Sequence, residues 1–461
     1  MKIALIHFGN EENYGLLFAG GELLLFNQEI HFFDAEESGI TSKIIKWGPD
    51  YLFFSPLTTF YSDSLKILQE LKNEKPNIIS AYGGHHAIAC PKIIEHEMID
   101  VVVVGPVRGT IGEILSGYKG TIKSMPTTPD DMPTPARDEY YRDIPRLRNR
   151  YRKFMLSMSG CPWNCSYCSS SSSQRRKTYG SESARNYFLS RRPIKTVIDE
   201  AKDIVRLGKT AEIEWVDDDI FTGADYELWL PEFVDVWEKE IGLPMYVSSA
   251  SASVLKVSDK LLSTLKRIVY VVGMGVQAIR PESLKLFNRG WDNEKKMKAA
   301  YDRLVSFGFL VNLQGIVGLP IDDPVEDAIE TLKGIQRIGP GSICSVYPLM
   351  VYPGTELSKL CEKNNLSLNP YSSGDTNTGI PSINFPPQEV KRLKNICKLS
   401  TFFVKYNIDE RWIRALIDID YDDRTSRALS MGKYYECIVD RLGAKGEEIF
   451  YEVQKGMNLR Y

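Results

Sequence analysis

Short apolar runs alternate with amphipathic segments through most of the 461 residues, and this alternation restricts the fold more than any other feature. In residues 1–125 strands are predicted at Lys2–Phe8, His31–Asp34, Tyr51–Ser55, Asn77–Ala81 and Val101–Gly105. Helical segments fall between them at Tyr14–Phe26, Ile40–Trp47, Asp63–Leu71 and Pro91–His96. A run such as Val101-Val102-Val103-Val104 offers no polar alternate positions, so both of its faces must be buried, as in parallel strands covered by helices. A doubly wound parallel sheet follows, with its ligand site beyond the carboxyl ends of the strands. Two loops lie there, Ser55-Pro56-Leu57-Thr58-Thr59 and Tyr82-Gly83-Gly84-His85-His86-Ala87. Paired glycines let backbone approach a ligand closely, although two tight turns of an unliganded sheet would read the same way.

Met125–Arg137, rich in Pro, Asp and Thr, reads as a linker, and the aromatic and basic stretch Tyr140–Arg152 follows it. The alternation then resumes. Strands are predicted at Phe154–Ser159, Ala211–Val216, Met245–Ser249, Tyr270–Val276, Val311–Gly315 and Ser342–Pro348. Between them lie helices such as Ile194–Leu207, Asp259–Leu265, Glu294–Phe307 and Pro324–Arg337. About six or seven β/α units favour a partial barrel, whose chemistry gathers at the carboxyl ends of its strands. The last stretch is helical, with apolar spacing at Val390, Leu393, Ile396 and Cys397 and aromatics at Phe402-Phe403, Tyr434-Tyr435 and Tyr451. The expected units are therefore 1–125, a linker 126–150, a barrel 151–370 and a helical 371–461. A net charge of -3 gives no electrostatic case for nucleic acid or an anionic membrane surface. No stretch reaches the roughly 18 apolar residues of a spanning helix, and the N-terminal run is too short for a signal peptide, so a cytoplasmic protein is expected.

The second block opens on Ser157-Met158-Ser159-Gly160-Cys161-Pro162-Trp163-Asn164-Cys165-Ser166-Tyr167-Cys168. Three of the eight cysteines stand here as C-x3-C-x2-C, which points to metal binding instead of a disulfide framework. Thiolates suit zinc or iron–sulfur clusters. Zinc needs a fourth ligand nearby, yet the next cysteine is Cys344 and no histidine follows His96. Three thiolates on a four-iron cluster leave one iron open to a small molecule. Asp217-Asp218-Asp219 closes a predicted strand, where one carboxylate can meet a ligand or, on the plainer reading, cap the helix beginning near Ala224–Leu228. Gln277, with Arg280 and Arg289 beyond it, ends another strand. The run Arg175-Arg176-Lys177 is expected to be a solvated basic face, with carboxylate contact the lesser reading. Gly315-Ile316-Val317-Gly318 and Tyr352-Pro353-Gly354-Thr355 alone read as strand and turn.

With an aromatic just before its last cysteine, the C-x3-C-x2-C motif resembles the signature of the radical S-adenosylmethionine (radical SAM) superfamily. The resemblance implies a [4Fe–4S] cluster on Cys161, Cys165 and Cys168, with its open iron chelating S-adenosylmethionine (AdoMet). It places Asp217, Asp218 or Asp219 near the AdoMet ammonium, Gln277 near the ribose or carboxylate, and Gly315 and Gly318 near the adenine. The N-terminal sheet with Gly83-Gly84-x-His86-Ala87, the connector Pro129–Arg137, Arg191-Arg192-Pro193 and Asp199-Glu200 extend the resemblance over residues 1–365, to the B12-binding radical SAM proteins. Their architecture implies cobalamin between sheet and barrel, against Thr58, Thr59, Gly83, Gly84, His85 and His86. Most characterised members methylate unactivated carbons, here of a small molecule or of a peptide or protein side chain. An electron donor of flavodoxin or ferredoxin type is implied too. The chain departs from the pattern in lacking D-x-H-x-x-G, so no histidine is expected beneath the cobalt, though His7, His85 and His86 would lie near. Gly105-Pro106-Val107-Arg108-Gly109 also replaces an acidic loop of the relatives. The helical C-terminal segment is expected to close the barrel mouth. Two alternatives stay open: radical AdoMet chemistry without cobalamin, such as cyclisation or C–C or C–S bond formation, and an N-terminal sheet that only docks a protein partner.

Overall fold

The first sheet contains strands β1 (Lys2–His7), β2 (Glu29–Asp34), β3 (Tyr51–Phe54), β4 (Ile79–Tyr82), β5 (Val101–Val104) and β6 (Gly120–Lys123) in the order β2-β1-β3-β4-β5-β6, all parallel. The computed structural model describes residues 1–124, 128, 132–180, 187–368 and 380–421. Val101–Val104 is buried along its whole length, as its unbroken apolar run requires. The strand order reverses between β1 and β3, so the loops after these two strands diverge and leave a crevice. Strand β6 is not foreseen, because Gly120-Thr121-Ile122-Lys123 buries only Ile122. Its form comes from pairing with β5 at the sheet edge. The glycine loop holds a short helix, Gly84–Ala89, instead of a bare turn.

The second sheet keeps chain order: β7 (Arg152–Met155), β8 (Glu212–Trp215), β9 (Met245–Ala250), β10 (Val269–Gln277), β11 (Leu310–Val317) and β12 (Ile343–Pro348). Every pairing is parallel, and the helices between strands wrap one face, giving an open half-barrel. The helix Ile194–Leu207 buries Val197, Ile198, Ala201 and Ile204, one stripe at helical spacing. The helix Pro324–Ile338 starts where the Asp323 carboxylate accepts from the Glu326 amide at 2.9 Å. The C-terminal helix Pro387–Lys405 buries Leu393, Ile396, Leu399 and Phe403. Gln336 donates to the Phe403 and Ile408 carbonyls at 3.0 Å and ties this segment to the flank of the half-barrel. Tyr434, Tyr435, Tyr451 and Pro129–Asp131 lie outside the described residues.

One buried ionic network joins the two sheets. Arg137, at the start of the helix Arg137–Asp143, donates through Nη2 to Glu200 Oε1 (2.7 Å), Tyr14 Oη (2.7 Å) and the Phe154 carbonyl (2.9 Å). Arg192 Nη1 reaches the other oxygen of Glu200 at 2.6 Å, and Tyr141 donates to Glu12 at 2.9 Å. Tyr14 and Glu12 come from the first sheet's side, Phe154 and Glu200 from the half-barrel. Burial alone would raise the Glu200 carboxyl, but Arg192 and Arg137 hold it below the ordinary range.

Removing one partner of a buried ion pair strands the other charge. Glu200→Gln should therefore lower the unfolding free energy by about 3–5 kcal/mol in urea denaturation at neutral pH. Asp199→Ala, which loses only an exposed pair with Lys195, should stay within about 0.5 kcal/mol. Because the folded Glu200 value lies below the unfolded one, its contribution is present above the unfolded carboxylate range. It is lost as pH falls through the folded value, so the gap between wild type and Glu200→Gln should narrow in acid.

Candidate active site

A cavity of about 560 Å³ opens between the two sheets. Its first wall is built by the loops after β1, β3, β4 and β5, where Thr59, Gly83, Gly84 and His85 lie. Ser159, Ser169, Ser170, Arg175, Phe188 and Asp218 build the second. The cysteines sit just behind this second wall, since Ser159 and Ser169 bracket their loop.

The loop is fixed from several directions. Asp217 accepts from the Ser157 and Met158 amides at 2.7 and 2.9 Å and from Ser157 Oγ at 2.5 Å. Its charge is met by Arg191, whose Nη1 lies 2.6 Å away and whose Nη2 donates to the Ile220 and Thr222 carbonyls. Asp219 accepts from Trp163 Nε1 at 3.0 Å, Ser249 Oγ at 2.8 Å and Ser253 Oγ at 2.6 Å. Asp218 accepts from the Gly160 amide at 3.1 Å and from the Ser170 hydroxyl, and it lines the cavity. The three adjacent carboxylates thus point three ways, and none caps the following helix, which begins at Tyr226 after Asp225. Trp163, inside the cysteine loop, stacks on Trp291 at 4.5 Å. Arg289 places Nη1 3.9 Å from Cys165 Sγ while Nη2 holds the Gly275 carbonyl and Asp292.

Arg175 and Asp218 share the second wall. Burial raises the Asp218 carboxyl and Arg175 opposes that rise. Burial, with the Arg175 charge, pushes the His85 imidazole down to about 4, so the ring is neutral at physiological pH. Burial and the nearby Asp218 also raise the Cys161 and Cys168 thiols, Cys168 to about 12. Arg175 corrects the expected basic face: its guanidinium lies over the Phe188 ring, 4.2 Å from the centroid, and lines the cavity. Arg176 and Lys177 do face solvent.

The remaining expected residues separate. Thr59, Gly83, Gly84 and His85 line the cavity, whereas Thr58 turns away to bond His86 Nδ1 at 3.1 Å, and His86 stacks on Tyr61 at 4.2 Å. Gly84 has φ +76°, and a Cβ there would fall 2.3 Å from Ser55 Oγ, so both conformation and space require glycine. Gln277 ends β10 with φ +67°, a rare conformation for a side-chain-bearing residue, next to a register shift in the strand. Gly315 lies within β11 and faces Thr331 and Ile335 of the outer helix; Gly318 follows the strand and packs against Pro381. Neither reaches the cavity. Arg108, from the loop that departs from the acidic pattern, pairs at 3.1 Å with the buried Glu22 of the helix Tyr14–Leu25. Sequence reasoning missed the Trp163–Trp291 stack and the inward turn of Arg175, because both depend on residues brought together by the fold.

Residues 155–333 match the Radical SAM superfamily, so the chain carries a radical SAM domain. Its fold is similar to that of solved cobalamin-dependent radical SAM proteins. The radical S-adenosylmethionine methyltransferase TsrM of Kitasatospora setae, solved with tryptophan and an AdoMet analogue, superposes with a TM-score of 0.61 at 14% identity, covering 78% of this chain and 76% of that one. The cobalamin-dependent S-adenosylmethionine radical enzyme OxsB gives 0.62 at 13% identity, covering 100% of this chain and 75% of its own. An uncharacterized methyltransferase of Pyrococcus horikoshii is 24% identical over 363 residues, 73% of this chain and 74% of that protein.

The residues present fit the groups that such a domain uses. Three cysteines in one anchored loop can each take a different iron of a cluster, and the Arg289 guanidinium beside Cys165 offsets an anionic centre. Among the described residues no three His, Cys, Asp or Glu side chains converge on a single ion. The first wall offers backbone at Gly83, where an added Cβ would meet only Val103 at 4.0 Å, and so leaves room for a flat ligand.

The anchoring role of Asp217 can be measured. Asp217→Asn leaves Arg191 buried without a counter-charge and should lower the unfolding free energy by about 3–5 kcal/mol. Asp218→Asn, which strands no fully buried cation, should shift the urea midpoint less.

Proposed function

We propose that this protein is a cobalamin-dependent radical SAM methyltransferase acting on an unactivated carbon of a small molecule or of a peptide or protein side chain. The observation that carries this reading is the single cavity with two unlike walls, glycine-rich loops of a doubly wound sheet on one side and the cysteine-loop surroundings of a half-barrel on the other. The likeness to TsrM and OxsB supports it, as does that to the Pyrococcus horikoshii methyltransferase. When bound, the cluster supplies the electron that splits AdoMet into methionine and a 5′-deoxyadenosyl radical, and cobalamin carries the methyl group.

The chain's own residues hold, orient and shield. Cys161, Cys165 and Cys168 hold the cluster. Asp218, the one carboxylate of the triplet open to the cavity, meets the AdoMet ammonium, while Asp217 and Asp219 fix the loop behind it. Gln277, in its strained conformation, presents an amide at the end of β10 to AdoMet's hydroxyls or carboxylate. Thr59, Gly83, Gly84 and His85 form the bed for the corrin, and Phe188 and Leu156 help keep the space between the walls dry. A small flavodoxin- or ferredoxin-type protein delivers electrons, and the setting is the cytoplasm. No helix among the described residues is long and apolar enough to cross a membrane.

Protein purified and reconstituted without oxygen should hold about four irons per chain. It should also bind hydroxocobalamin, seen in its visible spectrum, and should pass deuterium from methyl-labelled AdoMet into a component of a cell extract. Iron incorporation with 5′-deoxyadenosine formation but no bound corrinoid would favour radical chemistry without cobalamin. Cys168→Ala should lose the full cluster. Asp218→Asn should weaken AdoMet binding roughly ten- to a hundred-fold, the loss of a charge-assisted hydrogen bond of about 1.5–3 kcal/mol, measured by equilibrium binding to the reconstituted protein.

A further inference from the structure

The five histidines differ sharply in what their rings do. His7 is buried and engaged at both nitrogens, Nε2 with the Gly9 carbonyl at 2.8 Å and Nδ1 with Tyr140 Oη at 2.9 Å. His31 faces another part of the surface, with Nδ1 3.1 Å from Asp143. His86 is bound to Thr58 and stacked on Tyr61, and the His96 ring accepts from the Met98 amide. His85 alone lines the cavity, and its ring has no hydrogen-bond partner among the described residues. Its side chain is exposed to that space. A neutral, unpartnered imidazole facing open space is the form in which histidine binds metals.

Its wall also matters. His85 stands on the first-sheet side, one residue after Gly84, whose left-handed conformation starts the helix Gly84–Ala89. Asp218 and the cysteine loop stand on the opposite side. A flat macrocycle between the walls would present one face to the half-barrel, where AdoMet and substrate gather, and the other to His85.

Resting on the reading of the cavity as a cobalamin site, we propose that the His85 imidazole occupies the lower axial position of the cobalt in place of the cofactor's own benzimidazole. This assigns a histidine where the absence of D-x-H-x-x-G gave no expectation of one, because the ligand comes from the β4 loop and not from that motif. The exchange is a ligand substitution. One ring-nitrogen lone pair replaces the benzimidazole nitrogen or a water, the ring keeps its single N–H, and no electron changes hands. Burial first, and the Arg175 charge on the facing wall second, disfavour the protonated ring, so its lone pair is free to be donated.

The test uses the full chain loaded with hydroxocobalamin, reduced to the Co(II) state, and its electron paramagnetic resonance spectrum. One axial ¹⁴N splits the high-field cobalt lines into triplets. In protein made with ring-¹⁵N histidine the triplets should become doublets, which only a protein imidazole can cause, since the benzimidazole nitrogen stays ¹⁴N. This comparison needs no variant and cannot be confused with misfolding. His85→Ala should lose the histidine splitting, and His86→Ala should keep it. Cobalamin bound with no nitrogen splitting, or with triplets unchanged by the label, would overturn the assignment while leaving the cobalamin reading intact. Failure to bind any corrinoid would overturn both.

Discussion

The buried carboxylate of Glu200 is the joint on which the molecule's geometry depends. It receives Arg137 on one oxygen and Arg192 on the other, and Arg137 simultaneously holds Tyr14 and the first strand of the half-barrel through the Phe154 carbonyl. Two independent sheets with a compliant linker would enclose a gap of variable width. Here the separation is set by hydrogen bonds of fixed length among side chains that are almost wholly buried. An ionic joint of this kind contributes less net stability than apolar packing of the same volume could, but it tolerates few geometries. A cavity whose two walls must both touch one flat ligand needs that intolerance.

The aspartate triplet shows the same economy at smaller scale. Three neighbouring carboxylates would repel one another if they shared a space. The end of β8 sends Asp217 to Arg191, Asp219 to a ring of hydroxyls and an indole, and Asp218 to the cavity, so only one is left for a ligand. The loop that carries the cysteines is therefore positioned by the residues flanking the ligand contact. A change at any one of the three would be felt at the thiols through a different set of bonds.

Much of this was legible in the sequence, for reasons that also mark the limits. Parallel strands buried on both faces, such as Val101–Val104, announce themselves by their unbroken apolar runs, and the helices beside them by their stripes. Strand β6 lacks such a run and exists by pairing alone. The cysteine spacing, the acidic strand end and the paired glycines were visible as local patterns. Which member of each pattern faces the cavity was not. His85 and His86 are adjacent, and a helical start turns them about 100° apart. Arg175, Arg176 and Lys177 carry no apolar stripe that would give the helix Ser172–Tyr179 a phase. A Cβ on Gly315 would meet Thr331 and Ile335 of the outer helix, a direction its motif does not reveal.

The strand orders of the two sheets have a consequence for how the molecule comes into being. In the half-barrel each strand pairs with its immediate predecessor, so the sheet can grow unit by unit in the order of synthesis. The joint between sheets closes contacts that lie far apart along the chain, Tyr14 with Glu200 across 186 positions. Such contacts are costly in loop entropy and form late. The space between the walls has both of its sides in register only once these long-range contacts are closed. A ligand held there meets only the finished protein. It leaves the rate of folding untouched and acts by slowing the rate at which the finished state is lost.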